Sequence, residues 1–446
     1  MTIIGKVKAK ALGPITAAKL RTILPLPALV GAIDVIVAKR LNEVAEQMTA
    51  QVGLGFLEAA KTHRQVMDIA FPASLALERG LDSKSEMAVA QQDIEKYYDN
   101  LVVLRVAQWL APWQGCIELV ATLVAMHSCP CIILKVGGQN AVFNGRAVGM
   151  FTGSRSAAAA GRFPLLDVAF LRLSHWQRFG LKLEACTLGI ATFVDNIFTI
   201  ASTPESAVHI LDDCAQHLFC RWGLRIGEDS REYITCKGYP KRIDVHPRWR
   251  HKTTMRALGH YLDNDGGTTS CVRHACAAMT KSFYCNLKPA LQKSSKAVKL
   301  RFLRTCVFQI GRFRWSRWPY TTTLASKLDA LQRRFLYSLF PASPRPNESL
   351  QDFFARRHVT AGHLASSSGR WSRLWAADVR NWHAHVERRH DPGAWSPHVL
   401  TWKGRQWLDL QRLWHSALGE SRTNTRISRG KVFRRWEEGL HHAQSV

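Results

Sequence analysis

Acidic residues are in short supply. The chain has 34 Asp and Glu against 61 Lys and Arg, which leaves its 446 residues at +27. The excess is spread along the chain and not confined to one tail. A balance this basic points to a polyanionic partner, with nucleic acid first. An anionic membrane surface comes second, because no long basic amphipathic helix stands alone to serve it. Long apolar runs are also missing. None reaches the roughly 18 residues of a membrane span, and the nearest, 23–38, is interrupted by Pro25, Pro27 and Asp34. Cysteine offers no framework either. Eleven is an odd number, irregularly spaced, which reads as reduced intracellular thiols. Cys129-Pro-Cys131 after His127 is too close-set for zinc and lacks a second pair. There is no short-period repeat and no Cys/His zinc knuckle.

What is present is enough for two or three folded domains, with hydrophobic content at 46%. The first 33 residues carry five basic residues and no acidic one. That pattern suits a transit peptide or, as preferred here, a basic edge of the folded domain. Helical spacing of apolar residues predicts helices over 15–48, 54–79, 101–111 and 116–126, with a polar turn at 79–86. A short strand is predicted to end at Gln91-Gln92-Asp93, with a helix after it. CIILKV (131–136) is a strand candidate, followed by a Gly137-Gly138 turn. Residues 148–173 read as a Gly/Ser loop and an Ala-rich helix.

The clearest local signal lies at 202–223. Ser202-Thr203-Pro204-Glu205 supplies an N-cap, a proline at the first helical position and an acid in the first turn. Ala207, Leu211, Cys214, Leu218 and Trp222 then form one apolar stripe, and Gly223 is the stop. Strands are expected at 224–226 and 233–236. Beyond about residue 270 the chain is helix-rich, with a core stripe at Leu328, Leu331, Phe335 and Leu339. PASPRPNESL (341–350) reads as a linker. Eight of the 15 Trp lie in the last quarter (Trp371, Trp375, Trp382, Trp395, Trp402, Trp407, Trp414 and Trp436) and read mostly as core.

ATFVDNIFTIAS (191–202) raises a different question. Two β-forming runs flank Asp195-Asn196, which has the length and residue types of a two-residue hairpin loop. One carboxylate is thereby expected at the tip of an apolar ribbon. A second carboxylate, Asp93, is expected at a strand end.

Together, and in this order, these two blocks resemble the palm of a reverse transcriptase, most closely those of non-LTR (LINE-type) retrotransposons. The resemblance covers roughly residues 20–340. QQDIEKYYDNL resembles the first palm motif, whose first Asp binds both metal ions, which places Asp93 there. Its aromatic steric gate against a 2′-hydroxyl falls on Tyr98. GMFTGSRSAAAAGRFPL resembles the nucleotide-binding loop and helix, with Thr152, Gly153 and Ser154 at the loop. Thr152 stands where the family usually has Gln. FVDN resembles the third motif, with Asp195 in the metal-binding place and Asn196 where a second Asp is usual. RWGLRIGEDSREYITCKG resembles the fourth motif, with Ser230 in the place of its Lys and Arg231 adjacent. MRALGHYLDNDGG (255–267) and LDALQRRFLYSLF (328–340) resemble the palm–thumb junction and the thumb-end helix.

The resemblance implies an α+β right-hand polymerase. It would have N-terminal fingers helices (1–86), a palm with an antiparallel sheet (87–269), a helical thumb (270–340) and a helical C-terminal region (341–446). It implies an RNA-directed DNA polymerase with catalytic Asp93, Asp195 and Asn196, and nucleotide-binding Tyr98, Thr152, Gly153 and Ser154. Two Mg²⁺ ions would be held by Asp93 and Asp195. The partners implied are an RNA template, a DNA primer and deoxynucleoside triphosphates, with no membrane, no obligate protein partner and a nuclear location. No endonuclease motif set is present. Two other readings stay open: a catalytically inactive nucleic-acid-binding remnant of the same fold, and an RNA-dependent RNA polymerase using an Asp-Asn pair, against which Tyr98 argues.

Overall fold

The computed structural model describes residues 2–5, 20–23 and most of 26–399. Residues 15–19 and 24–25 of the predicted 15–48 helix, the Gly137-Gly138 turn, and Trp402, Trp407, Trp414 and Trp436 lie outside the described residues. Leu20–Ile23 is not helix but a strand paired antiparallel with Thr2–Gly5. The protein is a mixed helix-and-strand structure. It divides into two compact units, one of Met1–Leu258 with His390–Val399 and one of Gly259–Arg389 with Leu400–Val446. No helix among the described residues is long and apolar enough to cross a membrane.

In the first unit, helix α1 (Ala28–Val52) starts directly after Pro27. A proline at that point fixes φ for helix entry and disfavours helix before it. The predicted helix over 54–79 is instead a strand, β1 (Phe56–Glu58), and a helix, α2 (Met67–Ser83). Gly55 explains the break. Its carbonyl accepts from Gly189 N and Ile190 N at 2.9 and 3.1 Å, and a Cβ there would sit 2.9 Å from Thr187 O. The chain is pulled into a sheet edge that only glycine fits. Helix α2 extends into the predicted 79–86 turn as far as Ser83, and Lys84, left-handed with its N–H on Gly80 O, caps it before the remaining turn residues.

The central sheet joins six strands: β1, β2 (Ala88–Asp93), β3 (Ile190–Phe193), β4 (Asn196–Ala201), β5 (Glu232–Thr235) and β6 (Arg250–His251). Their order is β6-β5-β2-β4-β3-β1. The four middle strands are antiparallel, and the two edges pair in parallel. The strand expected at 224–226 is only a single bridge, Ile94 to Ile226.

Helices α3 (Arg155–Ala160), α4 (Arg162–Trp176) and α5 (Pro204–Trp222) belong to the same unit. Helix α5 follows its sequence signals. Thr203 Oγ1 accepts from Ser206 N at 3.2 Å, and Gly223 at φ +69° closes the helix. All five residues of its predicted stripe are buried, and they join Ala88, Ala90 and Ile197 of the sheet in one core. Each large apolar side chain so buried contributes roughly 1.5–3 kcal/mol. Gln92 Nε2 donates to Leu211 O at 2.8 Å, so even-numbered positions of β2 face α5 and Asp93 faces the other way.

Two Arg–Asp–Trp staples lock α4 to α5. Arg172 donates twice to Asp213 at 2.9 and 2.8 Å, and Trp176 Nε1 adds a bond at 2.8 Å. Arg221 donates twice to Asp167 at 2.6 and 2.8 Å, joined by Trp222 Nε1 at 2.8 Å and Trp109 Nε1 at 2.9 Å.

In the second unit, α6 (Thr269–Lys281), α7 (Gln309–Trp315), α8 (Thr322–Leu339), α9 (Leu350–Ser368) and α10 (Trp371–Glu387) share a core. Trp315, Trp371, Trp375 and Trp382 are buried, as are Leu328, Leu331, Phe335 and Leu339 of the predicted stripe. Arg312 and Trp315 both donate to Asp378. The 341–350 segment runs inside this unit. It is pinned by two Arg356–Glu348 bonds of 2.7 Å and by Arg345 N on Glu348 Oε2. The division between units thus falls at 258/259, and helices on both sides of residue 340 lie in one unit.

Candidate active site

The sheet register brings the two sequence-predicted carboxylates together. Asn196 of β4 lies directly opposite Asp93 of β2 and also opposite Phe193 of β3. Directly opposed strand residues have Cα atoms about 4.5–5.5 Å apart. Asp195 is the residue before Asn196, and its carbonyl accepts from Ile94 N at 2.9 Å. Asp93 and Asp195 therefore occupy neighbouring backbone positions on adjacent strand ends. Both residues are half-buried, and of the Asp93 carboxylate Oδ1 is closed off from solvent.

The hairpin frame differs from expectation by one residue. The loop is Val194-Asp195, and Asn196 is the first residue of β4. Val194 carries φ +60°, whereas Asp195 keeps a negative φ, the signature of a type II′ turn. Glycine is usual at that first loop position. A β-branched residue there stores roughly 1–3 kcal/mol of backbone strain, which survives only where the surroundings impose it. The constraint here is packing, since Val194 lies against the main core. Asn196 Nδ2 donates to Asp195 Oδ1 at 2.8 Å, so its amide orients the Asp195 carboxylate.

Tyr98 stands close to this pair. Burial pushes its phenol up to about 12, and the Asp195 charge adds to the effect. Its ring packs 5.4 Å from that of Tyr97, and Met150 N donates to its carbonyl at 2.7 Å. Gly161 floors both rings: a Cβ there would meet Tyr97 Cε1 at 3.0 Å and Tyr98 Cε1 at 3.3 Å.

The Thr152–Ser154 loop is shaped from an unexpected direction. Gly153 has φ +101° and is exposed, and Thr152 is half-buried. Ser154 is buried, and its hydroxyl donates to Asp34 Oδ1 at 2.7 Å while capping Ala157 N at 3.1 Å. That hydroxyl serves the loop rather than an outside ligand. Asp34 of α1 also accepts from Arg155 N at 2.7 Å, Ser156 N at 3.0 Å and the Ser156 hydroxyl. His127 Nε2 meets the same Ser156 hydroxyl at 2.9 Å. A carboxylate over 100 residues distant in sequence thus caps α3 and holds Arg155 at the surface.

Burial alone would raise the Asp34 carboxyl, but the Ser156 and Ser154 hydroxyls and two backbone amides hold it below its ordinary value. A depressed carboxyl stabilises the fold above its unfolded-state pKa, and that stability is lost as pH falls through the folded value. Asp34→Asn is therefore expected to cost about 1–3 kcal/mol near neutral pH. The gap in melting temperature between the two proteins should close below about pH 4. Thermal melts between pH 3 and 8 check both points, and a gap that stayed constant would refute the assignment.

Ser230, in the place of the family's Lys, is likewise spent internally. Its hydroxyl accepts from Asp93 N at 2.9 Å and donates to Gly227 O at 2.6 Å, which ties the loop before β5 to the Asp93 backbone. Arg231 lies 4.0 Å from Asp212 Oδ1, and Arg225 lies 5.5 Å over the Phe219 ring. A cavity of about 680 Å³ opens beside the hairpin, lined by Lys39, Asn42, Arg155, Arg162, Thr192 and Val194 among others. In its wall Arg162 binds Glu58 through Nε and, at 2.7 Å, through Nη2, with Asn42 Oδ1 on Nη1 at 2.7 Å.

Among the described residues no group of three or more His, Cys, Asp or Glu converges as a ready metal cage. Two half-open carboxylates on neighbouring strand ends nonetheless suit Mg²⁺, which binds through one or two carboxylates and keeps its waters.

No protein-family model matches this sequence, and no curated protein matches it. Among solved structures the chain is similar to telomerase from Candida tropicalis in complex with the TWJ fragment of telomeric RNA, with a TM-score of 0.39 and 10% identity, covering 86% of this chain and 55% of that one. Telomerase from Candida albicans with the same kind of fragment gives a TM-score of 0.37 and 9% identity, over 84% of this chain and 57% of that one. Apo telomerase from Candida tropicalis truncated from its C-terminal domain gives 0.35 and 11%, over 54% and 44%. The chain spans about half the length of these structures. All three are telomerase structures, and at these values the likeness is a remote one of backbone.

Proposed function

We propose that this chain is an RNA-directed DNA polymerase of retrotransposon, LINE-like origin, acting in the nucleus. Its first unit would hold the palm of a right-hand polymerase, and its second unit would hold the thumb. It would extend a DNA primer on an RNA template with deoxynucleoside triphosphates. The observation that carries the reading is the junction of Asp93 and Asp195 at adjacent strand ends, half-open to solvent. Asp93 and Asp195 would hold two Mg²⁺ ions, which supply charge neutralisation for the triphosphate and activation of the primer hydroxyl.

The chain's own residues do the rest. Asn196 turns the Asp195 carboxylate by its amide bond. Ser230 fixes the Asp93 backbone. Tyr98, un-ionised at any working pH, would stand where a sugar 2′-hydroxyl would fall. Asp34 holds the Thr152-Gly153 loop and Arg155 for the nucleotide and template. Primer extension by the pure protein on an RNA template, set against Asp93→Ala, tests this, and equal incorporation by both proteins would reject it.

Tyr98→Val is expected to raise ribonucleotide use relative to deoxynucleotides by roughly tenfold or more, the scale of discrimination that steric fit provides. Paired single-nucleotide incorporation assays read the ratio. An unchanged ratio would remove Tyr98 from sugar selection.

The inactive-remnant reading has its own support. The third acid is an amide, and the Ser230 hydroxyl is fully engaged inside the fold, where the family carries a proton-donating Lys. A remnant would bind nucleic acid with a steep salt dependence and synthesise nothing.

A further inference from the structure

The seam between α4 and α5 carries a feature the polymerase reading does not use. The two Arg–Asp–Trp staples pair Asp167 with Arg221 and Arg172 with Asp213, an antiparallel progression. One step further along the same seam, His175 meets His209. Their Nε2 atoms face each other at 3.2 Å, with ring centroids 5.4 Å apart. Phe179 backs both imidazoles, its centroid 5.2 Å from His175 and 4.4 Å from His209. Residue 209 is exposed and residue 175 half-buried, so solvent reaches the pair.

We propose that His175 and His209 form a two-imidazole site for a borderline divalent transition-metal ion such as Cu²⁺ or Zn²⁺, clasping α4 to α5. The geometry supports this directly. Two nitrogens each about 2.0–2.1 Å from one tetrahedral ion stand about 3.3–3.4 Å apart, and the observed separation is 3.2 Å. In the metal-free chain one shared proton fills the gap between the two nitrogens. For a cation to bind, the ring that donates the hydrogen bond carries its proton on Nδ1 instead of Nε2, an exchange through solvent with no net proton released. Each neutral ring then gives its Nε2 lone pair to the ion.

The neighbouring charges do not supply a third ligand. Asp213 is spent on Arg172 and Trp176, with His217 Nδ1 3.7 Å from it. Water completes the coordination shell on the exposed side. Arg172 is paired with Asp213, and Arg178 adds a further positive charge near His175 against which the ion must bind. Imidazole donors favour Cu²⁺, Ni²⁺ and Zn²⁺ over Mg²⁺, which makes this site chemically orthogonal to the Asp93–Asp195 carboxylates. Phe179 packs against both rings, so less ordering is left for the ion to impose. A bound ion stabilises the first unit by mass action.

The experiment uses the full chain, stripped with chelator and titrated with Cu²⁺ under electron paramagnetic resonance. A two-nitrogen Cu²⁺ signal at one equivalent is expected. It should vanish in His175→Gln and in His209→Gln alike, and survive in His217→Gln. A parallel Zn²⁺ titration should raise the melting temperature of the wild type and of His217→Gln by several degrees, and of neither of the other variants. Both replaced side chains reach solvent, and circular dichroism confirms that each variant folds. A two-nitrogen signal that persists in both His175→Gln and His209→Gln overturns the proposal. So does a wild type that gives no such signal.

Discussion

Asp195→Ala is expected to lower primer extension by roughly a thousandfold or more while leaving RNA binding nearly untouched. A metal ion at a phosphoryl-transfer site supplies several kcal/mol of transition-state stabilisation, and each 1.36 kcal/mol is a factor of ten in rate. The binding half of the expectation follows from charge. Removing one carboxylate from a chain at +27 can only favour a polyanion. Stability should change little, because Asp195 is a half-buried loop residue. The amide it loses, that of Asn196, is a neutral donor, and such a bond is worth about 0.5–1.5 kcal/mol. Asp93→Ala should behave alike. Asn196→Asp separates the two readings of the chain. In a working polymerase the added acid replaces an orienting amide by a like charge and should shift the Mg²⁺ optimum. In an inactive remnant it changes nothing unless the amide itself was the lesion. A wild type that extends no primer but binds RNA with undiminished affinity would end the polymerase reading.

The parts of this architecture that were legible in the sequence are those written in short-range code. Helix α5 is read correctly at both ends because Thr203, Pro204 and Gly223 act on their immediate neighbours. The β3–β4 hairpin is read correctly as an element because β-branched and aromatic residues cluster there, and β2 because a short apolar run, Ala88-Val89-Ala90, precedes Gln91. The frame of the hairpin was misread for a definite reason. Asn and Asp tolerate turn geometry, so Asp195-Asn196 looked like the loop. The structure instead places Val194 at φ +60°, a choice imposed by packing that no local rule anticipates. The 54–79 segment failed similarly, since Gly55 answers to backbone brought in from residues 187–190. The resemblance puts Ser154 in the nucleotide loop, and in the structure its hydroxyl bonds Asp34. That bond joins residues 120 positions apart, and single-sequence reading has no signal for it. Long-range polar pairs have no signal in a single sequence, and the most buried ion pair among the described residues sits next to the candidate site.

That pair is Arg162 and Glu58, and Arg162→Met is expected to be the most destabilising single change in the first unit. Glu58 is 3% exposed and Arg162 8%. The guanidinium binds the carboxylate through two nitrogens and Asn42 through a third. Breaking one partner of a buried pair leaves an uncompensated charge and costs about 3–5 kcal/mol. For a unit of this size that is a fall of roughly 10 °C in melting temperature. Replacing both, as Glu58→Leu with Arg162→Met, removes the stranded charge, and much of the loss should return. Thr49 also touches Glu58, at 2.8 Å, but its hydroxyl keeps Ala45 O at 2.7 Å. The consequence should reach the carboxylates. Glu58 pairs with Thr192 in register, and Ala59 N donates to Thr192 O at 2.8 Å. Thr192 lies two residues before strained Val194, whose turn aims Asp195. Loosening the β1 edge lets that turn relax toward an ordinary conformation, so the single variant should lose primer extension at temperatures well below its melting point, and the double variant should regain it. Melts and extension assays on the three proteins decide the matter. A double variant as unstable as Arg162→Met would mean that the site needs the ion pair itself, and a single variant that melts like the wild type would mean that the pair contributes nothing to holding the hairpin in place.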